Sequence, residues 1–157
     1  MASNTPSVLF VCLGNICRSP SAEAVFKKKA NDNGLIIEID SAGTAGYHKG
    51  AEPDKRSQAV GIERGYSFKS LKCRKVVEQD FKHFDYILAM DNQNIENLLD
   101  ICPEEFKHKV LLHLSFAVSE EQEVPDPYYG GKRGFEHVLD LIELGADGFI
   151  EHLKSTG

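Results

Sequence analysis

Two cysteines frame a short stretch near the amino terminus, V-C-L-G-N-I-C-R-S at Val11–Ser19. Cys12 is followed by five residues and then Arg18, so a thiol and a guanidinium stand at the two ends of one tight loop. The apolar run S-V-L-F-V precedes it and the helix-friendly run P-S-A-E-A-V-F follows. A loop this short between a strand and a helix can curl so that successive backbone N–H groups point inward and form an anion-binding nest. The N–H groups of Leu13, Gly14, Asn15, Ile16 and Cys17 would line that nest. Gly14 and Asn15 are residue types that tolerate the left-handed backbone such a curl needs. The helix adds its own unpaired N–H groups and partial positive charge. Arg18 offers a planar fork of donors suited to two oxygens of a phosphoryl group.

The same field acts on Cys12. A thiol at a helix N-terminus beside a guanidinium loses its proton below the ordinary pKa of about 8.5. The resulting thiolate is a nucleophile held at the centre of a phosphate cradle. The spacing also fits a buried cysteine at a strand end with an arginine paired to a surface carboxylate. The strand before, the capped helix after and the Gly-Asn pair inside favour the catalytic reading. The loop is not a nucleotide P-loop, because it lacks G-x-x-x-x-G-K-[ST] and its lysine.

Several classes of function are disfavoured by composition. The chain has 157 residues and a formal net charge of −6. That length fits one domain, 1–157, able to bury a core without a disulfide or metal staple. The acidic balance leaves no excess of cations for nucleic acid or an anionic membrane. No leader pattern and no apolar run near the ~20 residues of a spanning helix is visible, so the cytoplasm is the expected location. The four cysteines, Cys12, Cys17, Cys73 and Cys102, are irregularly spaced. With no export signal, they suggest neither a disulfide framework nor a zinc site.

The elements that must position the loop are legible as an alternation. Ser7–Val11 predicts a strand and Ser19–Asn33 a helix, with Ser19 as cap, Pro20 in the first turn and Gly34 at the end. Ile36–Ser41 predicts a second strand, and a turn-rich loop leads to a helix starting near Asp54. Tyr86–Met90 predicts a third strand, after which Asp91 caps a helix that Pro103 stops. Val110–Leu114 predicts a fourth strand. A final helix carries Phe135, Val138, Leu139, Ile142, Phe149, Ile150 and Leu153 on a 3.6-residue beat. Four apolar strands separated by helices predict an α/β fold: a parallel sheet with helices on both faces and right-handed crossovers. Ligands of such sheets bind at the carboxyl ends of strands near the switch in strand order.

V-C-L-G-N-I-C-R-S-P-S-A-E-A resembles the phosphate loop of the low-molecular-weight protein tyrosine phosphatases. D-S-A-G-T at Asp40–Thr44, D-Y-I-L-A-M-D at Asp85–Asp91 and D-P-Y-Y-G at Asp126–Gly130 complete the family's motifs in its order. The resemblance covers nearly the whole chain. It implies a three-layer, flavodoxin-like sandwich with strand order 2-1-3-4 and a phosphatase using no metal or cofactor. The implied intermediate is a cysteinyl phosphate. Implied substrates are phosphotyrosine-containing proteins or small aryl phosphates, and the expected state is a monomer open to weak self-association. An aryl leaving group needs a proton as its P–O bond breaks. Asp126, stiffened between Pro125 and Pro127, is the acid that the resemblance implies, although D-P alone is commonly a turn. The resemblance places Tyr128 and Tyr129 at the pocket wall, where they are also phosphorylation sites, and Tyr47 at its rim.

It further implies that Ser19 donates to the Cys12 sulfur, that Ser41 braces Asn15, and that Cys12 and Cys17 form a reversible disulfide on oxidation. Cys17 can equally be a small residue packed under the loop. One departure stands out. A histidine usual in the family's hydrogen-bond network is replaced by Leu71, with His48 and His83 as nearby candidates to substitute. Two other readings share parts of this pattern. An arsenate reductase on the same fold needs a cysteine relay, which the spacing of Cys73 and Cys102 does not suggest. A catalytically dead phosphate-binding module would lack Cys12, Arg18 or Asp126, and all three are present.

Overall fold

The computed structural model describes residues 5–127 and 131–156. Strand β1 (Ser7–Cys12) is the centre of everything: all six of its residues are buried. Such a strand must be apolar on both faces, and V-L-F-V-C, after Ser7, is. Val8, Phe10 and Cys12 enter one core, and Leu9 and Val11 the other. β1 pairs in parallel with β2 (Glu38–Gly43) on one side and β3 (Tyr86–Ala89) on the other, and β3 pairs in parallel with β4 (Val110–Leu112). The order is therefore β2-β1-β3-β4.

Helices α1 (Arg18–Asp32), α2 (Lys55–Glu63) and α5 (Lys132–Thr156) close the first core, and α3 (Glu78–His83) and α4 (Asn92–Ile101) the second. Between β4 and its neighbours lie two 3-10 turns, Glu104–Lys109 and His113–Phe116. No described helix is long and apolar enough to cross a membrane.

Several element boundaries differ from expectation, and one helix is additional. α1 begins at Arg18 with Cys17 at its N-cap, so Ser19 does not cap the helix and Pro20 stands third in it. The reason is that Ser19 is fully buried and its hydroxyl turns to Cys12 instead. β2 runs Glu38–Gly43 rather than Ile36–Ser41, because its pairing follows β1 out to Cys12↔Gly43. β4 stops at Leu112, where His113 turns into the core. Six-residue α3 was not anticipated, being too short for a periodic signal. The α1 end matches: Gly34 has φ 67, and Leu35 N–H returns to the Ala30 carbonyl at 2.9 Å.

His113 is fully buried and stacks edge-on to Phe10, with ring centroids 5.6 Å apart. Its Nε2–H donates to the Ile142 carbonyl at 3.0 Å, while Nδ1 meets no hydrogen-bond partner among the described residues. Gly145 makes room for the ring, since a Cβ there would fall 2.5 Å from it. Burial lowers the His113 pKa from 6.5 to about 4, against the smaller opposing pull of the Ile142 carbonyl. The folded state thus binds this proton less readily than the unfolded one. The associated stability is complete above pH 6.5 and drains as pH falls toward 4. Between pH 7 and pH 5 this residue should cost about 2 kcal/mol of urea-unfolding free energy. His113→Gln should flatten that slope; an identical slope in the variant would refute the assignment.

Candidate active site

Cys12 ends β1, α1 begins at Arg18, and Leu13–Cys17 curl between them. Strand order reverses at β1, so the loops after β1 and β3 meet beside one another. Asn15 alone in the loop takes the left-handed conformation, φ 57; Gly14 does not need its freedom there. Gly43, the pairing partner of Cys12, backs the loop so closely that a Cβ would lie 2.7 Å from the Leu13 carbonyl oxygen. Only glycine permits that approach.

Cys12 is 3 % exposed. Its sulfur lies 3.0 Å from Ser19 Oγ, and Ser19 N–H points to it at 3.4 Å. The helix start therefore delivers both a hydroxyl and an orphan amide to sulfur. Arg18 is equally buried. Its Nη1 donates to Asp91 Oδ2 at 2.6 Å and to the Val124 carbonyl at 3.0 Å. Its Nη2 faces Asp126 Oδ2 at 3.7 Å. Burial works against the guanidinium charge, yet the Cys12 sulfur, Asp91 and Asp126 together hold its pKa above the usual value.

Behind the loop, Asn15 Nδ2 donates to Ser19 Oγ at 2.8 Å and to Ser41 Oγ at 3.1 Å. Ser41 passes the chain on by donating to Glu23 Oε1 at 2.6 Å, and Glu23 is paired with Lys27 at 2.7 Å. Asn15 Oδ1 accepts the Arg74 N–H at 2.9 Å. Ser41 thus stands where the sequence placed it. Leu71 packs in the first core and supplies no polar contact to Asn15. Neither histidine fills its place. His83 is exposed and bonded to Glu38 at 2.8 Å, and His48 lies over Gly14 at the cleft.

The cleft has a volume of about 350 Å³. Cys12, Arg18 and Asp126 converge on it, and Leu13, Gly14, Ile16 and Cys17 form its loop wall. Tyr47, 77 % exposed, stands at the rim with His48. Tyr128 and Tyr129 lie outside the described residues. Burial pushes the Cys17 thiol up to about 12, a hydrogen bond from Ser57 only partly offsetting it. All four cysteines are free thiols. Among the described residues, no three His, Cys, Asp or Glu side chains gather as a metal site.

Sequence reasoning missed three contributors, Asp91 as the holder of Arg18, Glu23 behind Ser41 and Arg74 against Asn15, and named His48 without its place over Gly14. Only Asp91 carried a readable signal, an acid at the carboxyl end of a strand beside β1. It was read as a helix cap, and Asp91 Oδ1 does accept the Asn94 N–H at 2.8 Å. Its second oxygen does the other work.

Residues 7–157 match the family described as low molecular weight phosphotyrosine protein phosphatase. The human protein of that description is 42% identical over 155 residues, covering 94% of this chain and 95% of its own. YfkJ of Bacillus subtilis, a low molecular weight protein-tyrosine-phosphatase, is 42% identical over 94% of this chain and 96% of its own. A crystal structure of a protein tyrosine phosphatase from Entamoeba histolytica superposes with a TM-score of 0.93 at 48% identity, covering 97% of this chain and 99% of that one. The chain belongs to the low molecular weight phosphotyrosine protein phosphatase family.

Proposed function

We propose that the protein hydrolyses phosphotyrosine in proteins, and other aryl phosphate monoesters, through a phosphorylated Cys12. The observation that carries this reading is the convergence of three groups on one cleft: a buried sulfur, a held guanidinium and a carboxyl group. In the first step the Cys12 thiolate attacks phosphorus as the P–O bond to the aryl group breaks. Asp126 in its acid form gives its proton to the departing oxygen. Backbone N–H groups of the loop, together with the Arg18 Nη2 that faces Asp126, would stabilise the charge gathering on the phosphoryl oxygens. In the second step water attacks phosphorus, the Asp126 carboxylate takes its proton, and the S–P bond breaks. Ser19 Oγ, 3.0 Å from sulfur, donates to the returning thiolate and makes it a better leaving group. The apolar parts of Leu13, Ile16 and Tyr47 offer the aryl ring surface to lie against.

Hydrolysis of p-nitrophenyl phosphate and of phenyl phosphate tests this directly. Cys12→Ser should abolish turnover on both while still binding vanadate; retained turnover would refute the nucleophile. Asp126→Ala should cost about a hundredfold or more in kcat on phenyl phosphate, whose leaving group is poor, and far less on p-nitrophenyl phosphate. Equal losses on the two substrates would argue against proton donation.

The same pair of ends favours a redox lock. Peroxide oxidises the Cys12 thiolate to a sulfenic acid, and Cys17 displaces hydroxide from it to give a disulfide that added thiol reduces. Because burial keeps the Cys17 thiol protonated up to about 12, closure should accelerate as pH rises from 6.5 to 8.5. Activity recovered by dithiothreitol after peroxide, in wild type against Cys17→Ser, measures this. Equal recovery in both would remove the lock.

A further inference from the structure

We propose that Cys73 is a positioning residue of the phosphate-binding loop, its thiol proton holding the backbone carbonyl of Asn15. The inference deepens the proposed function, because it takes the loop as the seat of the phosphoryl group. Cys73 is 3 % exposed, and its Sγ lies 2.8 Å from the Asn15 carbonyl oxygen. The Glu52 carbonyl is a more distant second acceptor at 3.8 Å. Burial, reinforced by the charge of Cys12, pushes the Cys73 thiol up to about 11, so it remains a donor throughout the neutral range.

The consequence follows from the planarity of the peptide bond. The carbonyl of Asn15 and the N–H of Ile16 belong to one rigid unit and point in opposite directions. Asn15 is in the left-handed region, φ 57, and Ile16 lines the cleft. A donor fixed on the outer side of that unit holds the carbonyl outward and thereby aims the Ile16 N–H inward. A buried carbonyl without such a partner would cost free energy and would be free to seek another, turning the amide away from the anion.

Cys73 is itself immobile, which a useful brace must be. Its N–H donates to the Ala51 carbonyl at 2.8 Å, and its carbonyl accepts the Gly50 N–H at 2.7 Å. The next residue reaches the same loop, Arg74 N–H donating to Asn15 Oδ1 at 2.9 Å. Arg74 is clamped in turn by Asp40 at 3.1 Å and Asp80 at 3.0 Å. Position 73 therefore joins the rim segment bearing Tyr47 and His48 to the loop bearing Cys12.

Cys73→Ala and Cys73→Ser test the assignment with inorganic phosphate as the probe, its affinity read by calorimetry beside kcat, KM and Tm. Removing one such hydrogen bond should weaken phosphate binding about three- to tenfold in Cys73→Ala and lower kcat/KM by a similar factor, with Tm lower by roughly a few degrees. Cys73→Ser, which keeps a donor, should return within about twofold of wild type. Phosphate affinity unchanged in Cys73→Ala, or equal impairment of both variants at a Tm within that range, would overturn the proposal. Should Cys73→Ala fail to fold, Cys73→Thr against Cys73→Val poses the same question at matched shape. Thr should bind phosphate several-fold more tightly, and equal affinity would again overturn it. Phosphate affinity is read without turnover. A wild type that binds phosphate but leaves aryl phosphates intact would refute the proposed function and leave this comparison standing.

Discussion

Everything in the cleft depends on holding the Arg18 guanidinium beside the Cys12 sulfur, in two residues each only 3 % exposed. Taking one ion out of water costs several kcal/mol unless a partner and hydrogen bonds replace the lost hydration. Arg18 meets that demand by sharing Nη1 between the Asp91 carboxylate and the Val124 carbonyl. Beside it, the Cys12 sulfur is met by the hydroxyl and the amide of Ser19. Without its partners a buried guanidinium would destabilise the closed loop.

This pairing is available only because of the strand order. β1 is flanked by β2 and β3, so its carboxyl end lies between two other strand ends. From β2 come Ser41, which steadies Asn15, and Gly43, whose missing side chain lets the loop close down. The exit of β3 brings Asp91, and Met90 there accepts the Val124 N–H at 2.8 Å, docking the segment that leads to Asp126. Chain segments far apart in sequence thus bring Cys12 with Arg18, Asp91 and Asp126 to one point, Asp126 from a segment that is neither helix nor strand.

Short-range features were legible in the sequence and long-range ones were not. The strand before Cys12, the left-handed Asn15 and the Asp91 cap follow from residue types within a few positions of one another. The second oxygen of Asp91 bonds a residue 73 positions away, and the Cys73 thiol a residue 58 away; no periodicity encodes either. Ser19 shows how local rules mislead at a site. As a serine before a proline it has the chemistry of a cap, yet it is needed by sulfur, and the helix start shifted to Arg18 so that it could serve there. Leu71 illustrates the converse. Its apolar side chain joined the core, and bracing of Asn15 passed to main-chain and thiol donors on the two residues that follow Lys72.

Arg18 also ties the acid to the nucleophile. Through Val124 it holds the backbone two residues before Asp126, and through Nη2 it faces the Asp126 carboxylate itself at 3.7 Å. Asp126 is the most exposed of the three groups, its side chain 47 % exposed. In the proposed chemistry a phosphoryl dianion arriving over Cys12 competes for that same Nη2, since a guanidinium edge that chelates two phosphoryl oxygens cannot also serve a carboxylate. Substrate binding would therefore displace Asp126 from the arginine at the moment when the leaving oxygen needs a proton. The stiff Pro125–Asp126–Pro127 backbone limits where the carboxyl group can go, and the mouth of the cleft, where the aryl oxygen must lie, is the place left to it.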